Sequence, residues 1–164
     1  MKHLLTLLII VTLSCQISVW HKNRGYPKVV YVSWDRGVWP DPLNDVISQS
    51  LTEFPCRTLR EGPRGNIKLI LNSETTKACE RIALDQANYS GLAEHCGTHW
   101  DVLLGSDSPR FQPKKFRILV LHELGHTLGL PHDLNTGSIM NKSVLSFVDQ
   151  NPSITSEQRG ILCR

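Results

Sequence analysis

Two histidines, His122 and His126, stand four residues apart in a strongly apolar stretch that opens at Pro113 and runs to about Leu128. On an α-helix, four steps of about 100° return the second side chain to within about 40° of the first, one turn along. Both imidazoles can then face one ion. Glu123 follows His122 directly but lies about 100° around the helix, so it is poorly placed to ligate the same ion. It can still reach a water beside that ion, which is the position of a general base. Leu119 shares the histidine stripe, Ile118, Leu121, Gly125 and Leu128 form a second, and Phe116, Val120 and Leu124 a third. A helix apolar on nearly all sides is buried, so these histidines are expected to open into an internal cleft.

The residues that follow supply a third imidazole. Gly129 adopts positive φ at little cost and can stop the helix with a sharp turn. Pro131 cannot sit in a helix interior, so the helix has ended before it. His132 then approaches from a different direction. Three imidazoles with one open position make a catalytic zinc arrangement, because a structural site would be closed by a fourth protein ligand.

The pattern His122-Glu123-x-x-His126-x-x-Gly129-x-x-His132 resembles the long zinc signature of the metzincin metallopeptidases. A methionine in a tight turn is the second mark of that family, and Gly137-Ser-Ile-Met140-Asn is similar to it. The resemblance covers roughly residues 113–143. It implies that His122, His126 and His132 ligate one catalytic Zn2+, that Glu123 is the general base, and that Met140 is structural beneath the site. It also implies a metzincin-like zincin fold: a twisted mixed sheet with an active-site helix and a C-terminal helix. The compact size looks most like a minimal matrixin, whereas Asp133 directly after the third histidine is similar to adamalysins. Protein or peptide substrates would lie extended along an edge strand, with Gly91–Cys96 the favoured edge and residues 80–87 the other candidate. Residues from Asn141 to about Leu145 would wall the pocket beyond the scissile bond.

Three departures qualify the resemblance. Lys142 stands where astacin-like members carry a tyrosine two residues after the methionine. Matrixins usually carry a pro-domain whose cysteine blocks the zinc, and the roughly ten residues between the expected signal and the first strand are too few for one, so latency by that route is not expected. The His and Asp clusters that hold a second zinc and calcium in matrixins have no convincing counterpart. The function expected is a secreted zinc-dependent endopeptidase; the alternatives are a secreted zinc-stabilised binding module without catalysis and a cell-wall peptide hydrolase.

The rest of the chain must place this helix. Lys28–Trp34 is rich in β-branched and aromatic residues and is expected to be a strand. Asp41-Pro42 looks like an N-cap followed by proline at the first helical position, and Leu43, Val46, Ile47 and Leu51 continue at helical spacing to residue 53. Ile67–Leu71 and Trp100–Leu104 read as further strands. Residues 73–90 are polar and irregular, with room for an edge segment, and 106–112 form a loop. Thr155-Ser-Glu-Gln158 predicts a capping box opening a short final helix. This order is that of an α/β domain.

At 164 residues, with 40% hydrophobic and 20% charged residues, the chain suits one globular domain and excludes a coiled coil or wholesale disorder. Lys+Arg of 18 against Asp+Glu of 15 is too even to argue for nucleic acid. Met1, Lys2 and His3 precede the uncharged run Leu4–Leu13, the pattern of a secretory signal over residues 1–18, which leaves 19–164 as the catalytic domain. The expected location is therefore extracellular or periplasmic, for a monomer, with membrane attachment only if Cys15 carries lipid. Of five cysteines, Cys15 leaves with the signal, and Cys56, Cys79, Cys96 and Cys163 remain. An even set in an exported protein reads as two disulfides with three possible connectivities, among them Cys79–Cys96 with Cys56–Cys163. Glu94-His95-Cys96-Gly-Thr-His99 looks like a metal motif, but an edge strand with a disulfide cysteine explains it better. Calcium is possible through Asp85, Asp101 and Asp107, although they lack loop spacing for it. Asn88 and Asn141 head glycosylation sequons, and Trp34 and Trp39 read as core or loop anchors.

Overall fold

A computed structural model describes residues 27–72, 77–79, 81–82, 91–105 and 112–164. The signal expected over residues 1–18, with Cys15, lies outside these residues, as do Asp85, Asn88 and Asp107.

The chain folds as a mixed α/β domain. Strands β1 (Val29–Ser33), β2 (Thr58–Glu61), β3 (Ile67–Asn72), β6 (Gly91–His95) and β7 (Trp100–Gly105) form one sheet in the order β2-β1-β3-β7-β6. The first four in that order run parallel, and β6 pairs antiparallel with β7, from Gly91 opposite Leu104 to His95 opposite Trp100. Strands β4 (Lys77–Ala78) and β5 (Arg81–Ile82) make a separate antiparallel ribbon. That ribbon is not an edge of the five-stranded sheet, and the rest of 73–90, with most of the candidate edge 80–87, lies outside the described residues.

Alternation along β1 buries Val30 and Val32 and exposes Val29 and Tyr31, so one face of the sheet carries the core. Against that face pack helix α1 (Asp41–Ser50), through Leu43 and Ile47, and helix α2 (Pro113–Thr127), through Phe116, Leu119, Val120 and Leu124. Trp39 lies in the same core, 5.6 Å from the Phe116 ring, and the Trp34 indole N–H donates to Asn44. Arg117 of α2 makes a two-pronged ion pair with Glu53, just past the end of α1. As the apolar stripes on three sides required, α2 is buried over ten of its fifteen residues.

Two details differ from the sequence reading. Asp41 is the first helical residue of α1 rather than its cap; Pro40 occupies the cap and Pro42 the second position. First-turn N–H groups have no partner within the helix, so proline fits at either place. The elements β2 and a 310 helix over Val144–Gln150 were not expected. Only Leu59 of β2 is buried, so it shows no clear alternation. The 310 helix buries Val144 and Val148 against Ile118 of α2.

Helix α3 (Ser156–Leu162) opens with the expected capping box: Thr155 accepts from the Gln158 backbone, and the Gln158 side chain accepts from the Thr155 N–H. Disulfides join Cys56 to Cys163 and Cys79 to Cys96. The first fastens α3 to the loop between α1 and β2, and the second fastens the β4–β5 ribbon to the end of β6.

Candidate metal centre

Helix α2 ends as Gly129 dictates. Its φ is +85°, the Gly129 N–H donates to His126 O at 3.0 Å, and the Leu130 N–H donates to Gly125 O at 2.9 Å. This is the Schellman pattern, in which a left-handed residue lets two backbone amides satisfy the last carbonyls. The chain therefore reverses at once, and His132 comes back beside the two histidines of α2. The Nε2 atoms of the three rings form a near-equilateral triangle: 3.2 Å from His122 to His126, 3.1 Å from His126 to His132, and 3.3 Å from His132 to His122.

Their protons make this triangle informative. His122 Nδ1–H donates to Ile139 O at 2.5 Å, and His126 Nδ1–H donates to Leu130 O at 3.0 Å. In the neutral rings these bonds leave bare lone pairs at both Nε2 atoms. Burial holds the pKa of all three rings below the ordinary histidine value, and His126, also facing the other two imidazoles, falls to about 4. Lone pairs crowded to about 3 Å repel one another unless a cation lies between them. Tetrahedral zinc at roughly 2.0–2.1 Å from each nitrogen requires nitrogens about 3.3 Å apart, so the residues fit that ion.

Carbonyls from different segments set the rings. Ile139 O, which orients His122, belongs to the tight turn that carries Met140. Met140 is fully buried, and a β-carbon on Gly125 would lie 2.6 Å from its sulfur. Gly125 therefore admits the methionine beneath the two helical histidines. The Asp133 N–H, next to the third histidine, donates to Met140 O at 3.0 Å. The Asp133 carboxylate accepts from Asn135 N and from the Gln158 side chain, whose amide also reaches Ser138. Ser138 in turn accepts from Met140 N. Gln158 thus caps α3 and ties it to both sides of the methionine turn. The sequence reading found the cap but not the tie. Gly125 went unnoticed as a packing residue, although glycine in a helix interior, costing about 1 kcal/mol, is itself a signal of close approach.

Glu123 is buried, and burial pushes its carboxyl up to about 8. It projects toward β6, where a β-carbon on Gly91 would lie 2.5 Å from Oε1. Strand β6 is the last in the sheet order, so among the described residues its far edge is unpaired.

The second constellation is structural. Cys96 is bonded to Cys79, His95 packs edge-on against Trp100 at 5.1 Å, and His99 pairs with Asp101 at 3.3 Å. The other oxygen of Asp101 accepts from Cys79 N. Cys79, Cys96 and Asp101 cluster closely enough for a metal, but their sulfurs are consumed by the disulfide. At the second sequon, Asn141 is buried and its side-chain Oδ1 accepts from Ser143 N.

A buried helix bearing two histidines, a glycine turn to the third and a methionine turn beneath them define a metzincin-like zincin fold. One solved structure that this chain resembles is that of archaemetzincin from Methanopyrus kandleri. The two match with a TM-score of 0.56 over 82% of this chain and 92% of that one, at 16% sequence identity. No family model matches the chain, and no curated protein does.

Proposed function

We propose that this protein is an exported zinc endopeptidase. The observation that carries the proposal is the triangle of three imidazole Nε2 atoms, on one buried and two half-buried rings, with Glu123 at the helical position after His122. His122, His126 and His132 would hold the metal. When bound, zinc supplies a Lewis acid that polarises the scissile carbonyl and acidifies water. Glu123 takes the proton from the attacking water and delivers it to the leaving amine. Any cation held by the histidines favours the ionised carboxylate, as a base at neutral pH requires. The free edge of β6 offers main-chain hydrogen bonds to an extended peptide, a mode with little side-chain selectivity. The short motif and compact size support a minimal matrixin-like domain, with Asp133 an adamalysin-like feature. Export is supported by the charge and hydropathy pattern of residues 1–18 and by the two disulfides, which persist in oxidising compartments.

The test is cleavage of a mixed library of unfolded proteins and peptides by the zinc-loaded, oxidatively folded chain. Cleavage that a chelator abolishes and zinc restores is the expected result. A folded, zinc-loaded chain that cuts nothing would replace this proposal with the binding-module alternative. N-terminal sequencing of the protein from an exporting host should place the first residue after position 18.

A further inference from the structure

We propose that Gly91, the first residue of β6, is a positioning residue for the Glu123 carboxylate; this rests on the reading of Glu123 as the base. A β-carbon at position 91 would meet Glu123 Oε1 at 2.5 Å and Cδ and Cγ at 2.8 Å each, so the whole end of the glutamate lies against bare backbone. Glycine is not there for its conformational range, because Gly91 is absent from the positive-φ residues. It stands within a paired strand, where glycine weakens the ladder and commonly marks a close approach.

Among the described residues no other group locates that carboxylate. Among the described residues no donor hydrogen-bonds Glu123, and burial alone moves its pKa. The group is placed by its own helix and by the surface it leans on. That surface is held firmly. Gly91 is paired opposite Leu104, which is fully buried, Ala93 packs on the core, and the strand's far end is fastened through Cys96 to Cys79. The histidines are oriented separately, through Ile139 O and Leu130 O. A methyl group at position 91 is therefore accommodated by moving the flexible end of Glu123, with the fold and the metal ligands left in place. A displacement of about 1 Å at a reacting group costs on the order of a hundredfold in rate.

The experiment compares the wild type, Gly91→Ala, Glu123→Ala and the double variant, all zinc-loaded. Zinc content, the thermal midpoint and kcat and KM on one peptide are measured, with crystal structures of the wild type and Gly91→Ala. Gly91→Ala should keep one zinc per chain, show Glu123 displaced from its wild-type position, and lose about tenfold to a hundredfold in kcat with KM little changed. Alanine at position 123 ends at its β-carbon and carries none of the three atoms that meet the new methyl, so Gly91→Ala should cost less than threefold in the residual rate of the Glu123→Ala background. Glu123 found unmoved in Gly91→Ala, or equal losses in both backgrounds, would overturn the proposal. If the wild type cleaves no peptide, the crystal structures still decide the positioning, and only the proposed peptidase activity fails.

Discussion

The sulfur of Met140 rests where the side chain of residue 125 would otherwise be: a β-carbon on Gly125 would lie 2.6 Å from it. Gly125→Ala therefore sets two effects against each other. Alanine favours the helix by about 1 kcal/mol, whereas overpacking a filled core costs about 1–3 kcal/mol. Because Met140 is fully buried and its turn also carries Ile139 O, the packing effect should win. The variant should unfold at lower temperature than the wild type in calorimetry. A higher midpoint would show that the methionine yields freely.

Gln158 should affect the metal from a distance. Its amide bonds Asp133, next to the third ligand, and Ser138, two residues before Met140. Gln158→Leu leaves both without that donor. Loss of an outer partner of a metal site typically costs 10–100-fold in affinity, and competition against a zinc chelator should show a decrease of that order. Unchanged affinity would mean that the His132 loop holds itself.

The two disulfides should differ in worth. Cys56–Cys163 closes 107 residues and Cys79–Cys96 closes 17. Loop-closure entropy then predicts about 4–5 kcal/mol for the first and about 3 kcal/mol for the second. Denaturant unfolding of the Cys→Ser pairs should rank them in that order, and the reverse order would make the β6 fastening the main one.

With metal removed, Glu123 gives stability an unusual pH dependence. Its folded pKa is raised, from the ordinary 4.5 to about 8, so the neutral form favours the fold. Its cost is absent below pH 4.5 and grows as pH rises toward 8. The three histidines act oppositely: their folded pKa values are lowered, so they cost nothing above pH 6.5 and destabilise as pH falls below it. Glu123→Gln removes only the first effect. The wild type should therefore lose stability relative to Glu123→Gln, by a few kcal/mol, between pH 4.5 and 8 in chelator. A difference independent of pH would show that the carboxylate is hydrated rather than buried.

What was legible in the sequence was what local geometry enforces. The His122–His126 spacing, the Gly129 stop, the burial of α2 and the Thr155 capping box each follow from a few adjacent residues. The strands β1 and β3 were visible because they bury alternate apolar side chains, and β7 because its apolar run Val102–Leu104 is buried throughout. Strand β2 was not, since Leu59 alone carries that signal. The long-range fits were also hidden. Gly91 against Glu123, Gly125 against Met140 and Gln158 against Asp133 join segments 32, 15 and 25 residues apart, and nothing local pairs them. The Cys79–Cys96 and Cys56–Cys163 pairing was one of three that spacing allowed.

The central claim is that the three Nε2 atoms, within 3.3 Å of one another, hold one metal ion. Elemental analysis of the purified chain after dialysis against limiting zinc tests it most directly, with His126→Ala and Glu123→Gln alongside. The wild type and Glu123→Gln should each retain one zinc per chain, and His126→Ala should retain little. A folded wild type that holds no zinc, or a His126→Ala variant that keeps its full equivalent, would contradict the account.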